Sequence, residues 1–216
     1  TRQALMDAAM DKPEDTWWWP YRKKLLGPYL DLISAEATAT HVFTQSTMAV
    51  PGLMQCPSYA SALQQNSMYS EIRDEADLYF SVRMARQQIL RRPMNPAHVH
   101  ALVPETAFLT RFPNVSRTLP EQAEYLLSLE KQENVTVQVL TLDAPPGGWL
   151  WGSADLLTFP EPWPKTAYTA GFYGGESTED PTRVRDAEKR FKMLQQVALS
   201  EEESRRFLSI QKEKRT

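Results

Sequence analysis

His98 and His100 stand two residues apart in PAHVHALVPE, the spacing at which a strand turns both imidazoles to one face and could offer them to a metal ion. No third or fourth ligand follows at a suitable spacing and the chain has only 3 histidines, so no metal is expected. His41 reads as a surface or half-buried strand residue. Cys56 precedes Pro57 at what reads as the start of a helix, where the macrodipole can lower a thiol pKa. With no catalytic signature around it, a small helix-entry residue is the expected role. Glu105 follows the strand that begins at His98, where a carboxylate either holds a neighbouring arginine or faces a pocket. Arg83, Arg86, Arg91 and Arg92 gather positive charge toward one helix end. Such a cluster either receives an anion or a partner's carboxylates, or is a solvated helix end, and the solvated end is expected.

The strongest aromatic signal is GGWLWGSADLLTF. Trp149 and Trp151 flank Leu150, so in an extended segment both rings point the same way. They line a cavity or they cover the open face of a sheet. With Asp155, Glu105, His100 and Phe172 they form the candidate ligand site. An aromatic, mostly apolar cavity suits a hydrophobic or cationic small molecule, since ring faces attract cations. No phosphate-cradling glycine loop with lysine, no GxSxG, no HExxH and no paired-cysteine pattern occurs, so no cofactor is expected. Catalysis by a shaped pocket with a single acid stays open.

These residues need elements to position them. Val135, Val137 and Val139 recur at a spacing of two, with Leu140 and Leu142 on the opposite face, which predicts a strand covered on both sides and central in its sheet. Further strands are expected over residues 39–47, 98–103, 154–159 and 167–173, with Gly171, Gly174 and Gly175 marking turns. Ser70 to Leu90 reads as the longest helix, its stripe running Ile72, Ala76, Tyr79, Val82, Arg86 and Ile89. Thr118 to Glu121 reads as a capping box opening a helix that buries Ala123, Leu126 and Leu127. That strand–helix–strand predicts a parallel pair, and the later strands, after short turns, antiparallel ones.

Asp180-Pro181 opens a long helix with Val184, Ala187, Phe191, Leu194 and Ala198 as its core face, and Ser200 with Glu203 caps another. A short helix over residues 1–12 and a Tyr21–Ser34 helix broken near Gly27-Pro28 lie at the front. Trp17, Trp18 and Trp19 between them read as a hydrophobic clasp. The expected fold is therefore α+β: a mixed central sheet of about four to six strands flanked by helices, with helical N- and C-terminal segments. The expected division is a helical segment over residues 1–38 and an α+β effector domain over 39–216, together one compact unit.

Bulk properties narrow the function classes. A net charge of -3 argues against this chain gripping DNA by itself, because that affinity comes mostly from Lys and Arg on phosphates. The 1 cysteine precludes an internal disulfide and fits a reducing cytoplasm. No apolar run is long enough to span a bilayer and no signal-peptide pattern occurs, so no membrane is expected.

VPGLMQCPSYASAL, RMARQQIL, NVTVQVL, LLTFPEP and EDPTRVRDAEKRFKMLQQVALSEEE, in that order, resemble the C-terminal domain of actinobacterial helix-turn-helix, antitoxin-like transcriptional regulators. The resemblance covers nearly the whole chain. It implies a ligand- or partner-sensing effector domain, a homodimer, and a small toxin-like protein as a possible partner. The chain begins about where the DNA-binding domain of such regulators has just ended. Two departures stand out. Gly147-Gly148-Trp149 replaces a loop in which many relatives have histidine, proline and glycine. Tyr168-Thr169-Ala170-Gly171-Phe172 lacks the acidic residue that relatives commonly carry there. These keep open an alternative in which the pocket of a stand-alone enzyme, for example a cyclase of natural-product biosynthesis, performs small-molecule chemistry. The regulatory reading is the expected one, with enzymatic activity the less expected.

Overall fold

The computed structural model describes residues 17–25, 27–68, 73–112, 117–145, 152–171 and 174–214. A 6-stranded mixed sheet lies between two layers of helix. Its strands are β1 (His41–Gln45), β2 (His98–Pro104), β3 (Val135–Leu140), β4 (Ala154–Thr158), β5 (Thr166–Gly171) and β6 (Gly174–Thr178). They are ordered β3-β2-β1-β4-β5-β6. The β2–β3 pair is parallel and β4, β5 and β6 each join antiparallel, as expected from the connections, and β1 also pairs parallel with β2. The helices are α1 (Gly27–Thr38), α2 (Pro57–Gln65), α3 (Ala76–Arg86), α4 (Thr118–Leu129), α5 (Pro181–Val197) and α6 (Glu201–Glu213). The fold is α+β.

Strand alternation divides the core in two. One face carries Val42, Val99, Ala101, Val137 and Leu157 and packs with Leu32 of α1, Tyr59 of α2, Leu126 of α4 and Leu208 of α6. The other carries Leu102, Leu140, Leu156 and Ala167 beneath Val184, Phe191 and Leu194 of α5. The core face of α5 is the one its spacing predicts. Its Asp180 cap accepts from the amides of Thr182 and Arg183, and Ser200 and Glu203 close a capping box at α6.

Several expectations are corrected. β3 is not central but an edge strand. It looks central in sequence because its open edge is covered: the Val139 amide donates to Ser204 Oγ at 2.9 Å and the Leu199 amide donates to the Val139 carbonyl at 2.9 Å. Leu142 lies beyond the strand and is exposed. The helix expected from Ser70 to Leu90 is α3 followed by a 3-10 turn over Gln87–Arg91, with residues 69–72 outside the described ones. Among the described residues α5 is the longest helix, at 17 residues. Thr118 does not cap α4; Arg117 takes the cap position without a side-chain bond, and the Thr118 hydroxyl is buried inside the first turn. Gly27-Pro28 starts α1 instead of breaking a longer helix. Gly174 and Gly175 belong to β6, where a glycine is needed because a Cβ at residue 175 would lie 2.3 Å from the Tyr168 hydroxyl. The helix expected over residues 1–12 lies outside the described residues.

The tryptophan clasp has a place in this frame. Trp18 is 0% exposed and packs with Leu25, Ile33 of α1 and Val82 of α3, while Trp19 meets it edge-on and is exposed. It therefore ties α1 to α3, the two helices that hold the site described next.

Candidate functional site

β1 ends at Gln45 and β4 begins at Ala154, so the antiparallel register sets Thr44 opposite Asp155 and Asp155 opposite Tyr168. This polar row stands on the same sheet face as Val42 and Leu157, where the rest of the layer is apolar. Above it, α1, α3 and the turn from Val50 to Gln55 enclose a cavity of about 390 Å³. That size falls at the small end of ligand pockets, suited to a metabolite.

Two of the walls carry charge. α1 brings Glu36 inward on the stripe of Leu32, Ile33 and Ala37, and α3 brings Arg86 inward on the stripe of Val82 and Ile89. Glu36 is 1% exposed and Arg86 5%, and they meet as a bidentate pair: Arg86 Nε and Nη2 donate to the two carboxylate oxygens at 2.8 and 2.6 Å. Arg86 Nη1 also donates to the Tyr29 hydroxyl at 3.2 Å. Arg83, three residues earlier on α3, lies 5.7 Å from the centre of the Tyr29 ring but joins no carboxylate among the described residues. Its Nε is buried without a hydrogen-bond partner there. Both guanidinium groups crowd Gly52, where a Cβ would sit 2.4 Å from Arg83 Nη1 and 3.1 Å from Arg86 Nη1. A glycine in that turn is what leaves room for two arginines.

The cavity perturbs its ionisable groups. Burial, helped by the Glu36 carboxylate, pushes the Asp155 carboxyl up to about 6, against weaker pulls from the Thr44 hydroxyl, Arg86 and Arg83. Burial also raises the Tyr29 phenol, but Arg83 and Arg86 outweigh it and hold the group below its ordinary value. Tyr168 is pushed up to about 12 by burial and by the Asp31 and Asp155 carboxylates, and its hydroxyl donates to the Pro28 carbonyl. Gln55 Oε1, on the lining, is buried and has no partner among the described residues. The arrangement can hold a polar ligand by a cation on one side, a carboxylate on the other and the Gln55 amide oxygen between. A smaller groove of about 200 Å³ under α5 differs in kind, because its charges already pair as Arg183–Glu176 at 3.3 Å and Arg190–Asp186 at 2.8 Å.

Of the residues singled out in the sequence, Asp155 lines the cavity. Glu105 does not: its Oε2 accepts the Leu142 amide at 2.8 Å and closes the turn after β3. His100 points to the opposite sheet face, held between Gln138 Oε1 at 2.8 Å and Gln195 Nε2 at 3.2 Å, where burial lowers its pKa. His41 and His98 stack at 5.1 Å on the exposed start of β1 and β2. Cys56 is buried at the entry to α2, its amide donating to Gln122 Oε1 at 2.8 Å. Trp149, Trp151 and Phe172 lie outside the described residues. Among the described residues no cluster of His, Cys, Asp or Glu could hold a metal ion, and no helix is long and apolar enough to cross a membrane.

The arginine cluster is not the solvated helix end its spacing suggests. Arg86 is buried, Arg83 faces the cavity, and Arg92 donates to the carbonyls of Ala37 and Ala39 at 2.6 Å each, leaving Arg91 exposed. Glu36 and Tyr29 went unnoticed in the sequence. The signal was there: Arg86 sits in the apolar stripe of α3, which requires a buried acid somewhere, and Glu36 sits in the apolar stripe of α1.

Neither a curated protein nor a solved structure matches the chain. Residues 29–209, which take in every lining residue of the cavity except Pro28, match the family described as Domain of unknown function (DUF5753), and the chain belongs to that family.

Proposed function

We propose that this chain is the ligand-sensing effector domain of a helix-turn-helix, antitoxin-like transcriptional regulator, with DNA contacts made outside it and the α1–α3 cavity as its sensor. One observation carries the reading: a metabolite-sized cavity is lined by Arg83 and Asp155, neither of which is paired with an opposite charge among the described residues. Unpaired ionisable groups destabilise a fold, so a cavity that keeps two of them is better explained by a ligand than by packing. The resemblance to antitoxin-like regulators supports the sensing role, together with a homodimer and a small toxin-like protein as the receiver of the signal. Ligand occupancy would bias how α1 and α3 sit on the sheet, since both helices contribute walls.

A second reading rests on Asp155. A carboxyl titrating at about 6 is suited to general acid–base work near neutral pH, as in an enzyme with small-molecule chemistry. One experiment separates the two. The purified chain is incubated with a cell metabolite extract, desalted, and the retained compound identified by mass spectrometry and returned to fresh protein. A sensor retains one compound and gives it back unaltered, and Arg83→Gln retains none. Conversion of the compound by wild type, lost in Asp155→Asn, would replace the sensing reading with the enzymatic one. No retained compound at all would remove both.

A further inference from the structure

We infer that the ligand of the α1–α3 cavity is a small zwitterion, carrying one carboxylate and one ammonium group on an apolar body of the size of an amino acid or a short peptide. This rests on the sensing role of the same cavity. Glu36 and Arg86 neutralise each other in a closed bidentate pair. What remains is one cation, Arg83 on α3, and one carboxylate, Asp155 on the sheet, which line the same cavity but form no ion pair with each other. Each has its own local setting. Arg83 lies over the Tyr29 ring and against Gly52, and no carboxylate among the described residues pairs with it. Asp155 is fixed by strand register opposite Thr44 and Tyr168.

The charge pattern discriminates among ligand classes. A simple anion would gain Arg83 but meet Asp155 in the same small volume. A simple cation would gain Asp155 but meet Arg83 in the same small volume. A zwitterion satisfies both groups and brings no net charge into the cavity. The orphaned polar atoms fit the same ligand: Gln55 Oε1 accepts from an ammonium, while Arg83 Nε donates to a carboxylate. Leu32, Val50 and Leu63 with the faces of Tyr29 and Tyr168 provide apolar wall for the ligand's body.

The test uses L-leucine, L-phenylalanine, L-tyrosine and the dipeptides built from them, each with its C-terminal amide and its N-acetyl form, titrated calorimetrically into the chain. At least one free zwitterion is expected to bind, and each singly capped form to bind at least about ten-fold more weakly. Arg83→Gln is expected to erase the difference between acid and amide, and Asp155→Asn the difference between amine and N-acetyl form, with circular dichroism confirming that both variants stay folded. Equal binding of capped and free forms overturns the inference and leaves the sensing role standing. So does a panel that fails to bind while a compound from the metabolite extract is retained. A failed panel together with an extract that leaves nothing on the protein defeats both.

Discussion

Arg83 and Arg86 project from one helix three residues apart, yet among the described residues only the second pairs with a carboxylate. Removing that carboxylate is therefore costly. Glu36→Gln leaves a buried guanidinium without its counter-charge and is expected to lower stability by about 3–5 kcal/mol. Arg83→Gln breaks no ion pair or hydrogen bond among the described residues and is expected to leave the melting temperature near that of wild type while abolishing ligand retention. Thermal unfolding of the two variants side by side checks the contrast, and equal losses would show that Arg83 is structural.

Asp155 makes a pH prediction. Its carboxyl takes up a proton near pH 6 in the folded chain against 3.8 for a free side chain, so between those values the folded state holds more protons. Stability conferred by this group therefore falls as pH rises through that window and stays low above it. Asp155→Asn should raise stability at neutral pH by on the order of 2–3 kcal/mol and flatten that part of the pH profile. A variant with the wild-type profile would mean that Asp155 is well solvated. Asp155 was legible in the sequence as an acid at a strand start, and Arg86 as a polar interruption of an apolar stripe. Their proximity was not, since it depends on how two helices dock on the sheet and on a strand register set between segments distant in the chain.

At the scale of elements, local grammar was readable where one segment decides the outcome. The Asp180 and Ser200 caps involve only neighbouring residues and are found where the sequence puts them. The position of β3 is a non-local property, decided by what covers its edge. One of its faces is buried and the other at least half-buried, and Ser204 and Leu199 take its edge hydrogen bonds, so its apolar pattern imitates that of a central strand. Ser204→Ala would leave the buried Val139 amide unpaired, and the expected loss is about 1–3 kcal/mol, read as a shift in the urea midpoint. An unchanged midpoint would show that α6 covers the edge by packing alone. Thr118 shows the reverse error: the threonine–glutamate spacing is correct for a capping box, but the helix begins one residue too early to use it.

At the scale of the molecule, the sheet separates two unlike surfaces. The groove under α5 has charges that pair with one another, whereas the α1–α3 layer holds a cavity whose Arg83 and Asp155 form no ion pair among the described residues. Trp18 fastens α1 to α3 behind that cavity, so a ligand that shifts either helix acts on both. This link between an occupied cavity and a rearranged helical layer is what a sensing domain requires. The most direct measurement is hydrogen–deuterium exchange on the chain with and without the compound retained from the metabolite extract. Protection confined to the cavity's own segments, namely α1, the turn from Val50 to Gln55, α3 and the start of β4, is the predicted result. Protection centred on α5 and the groove beneath it, with those segments unchanged, would contradict the account.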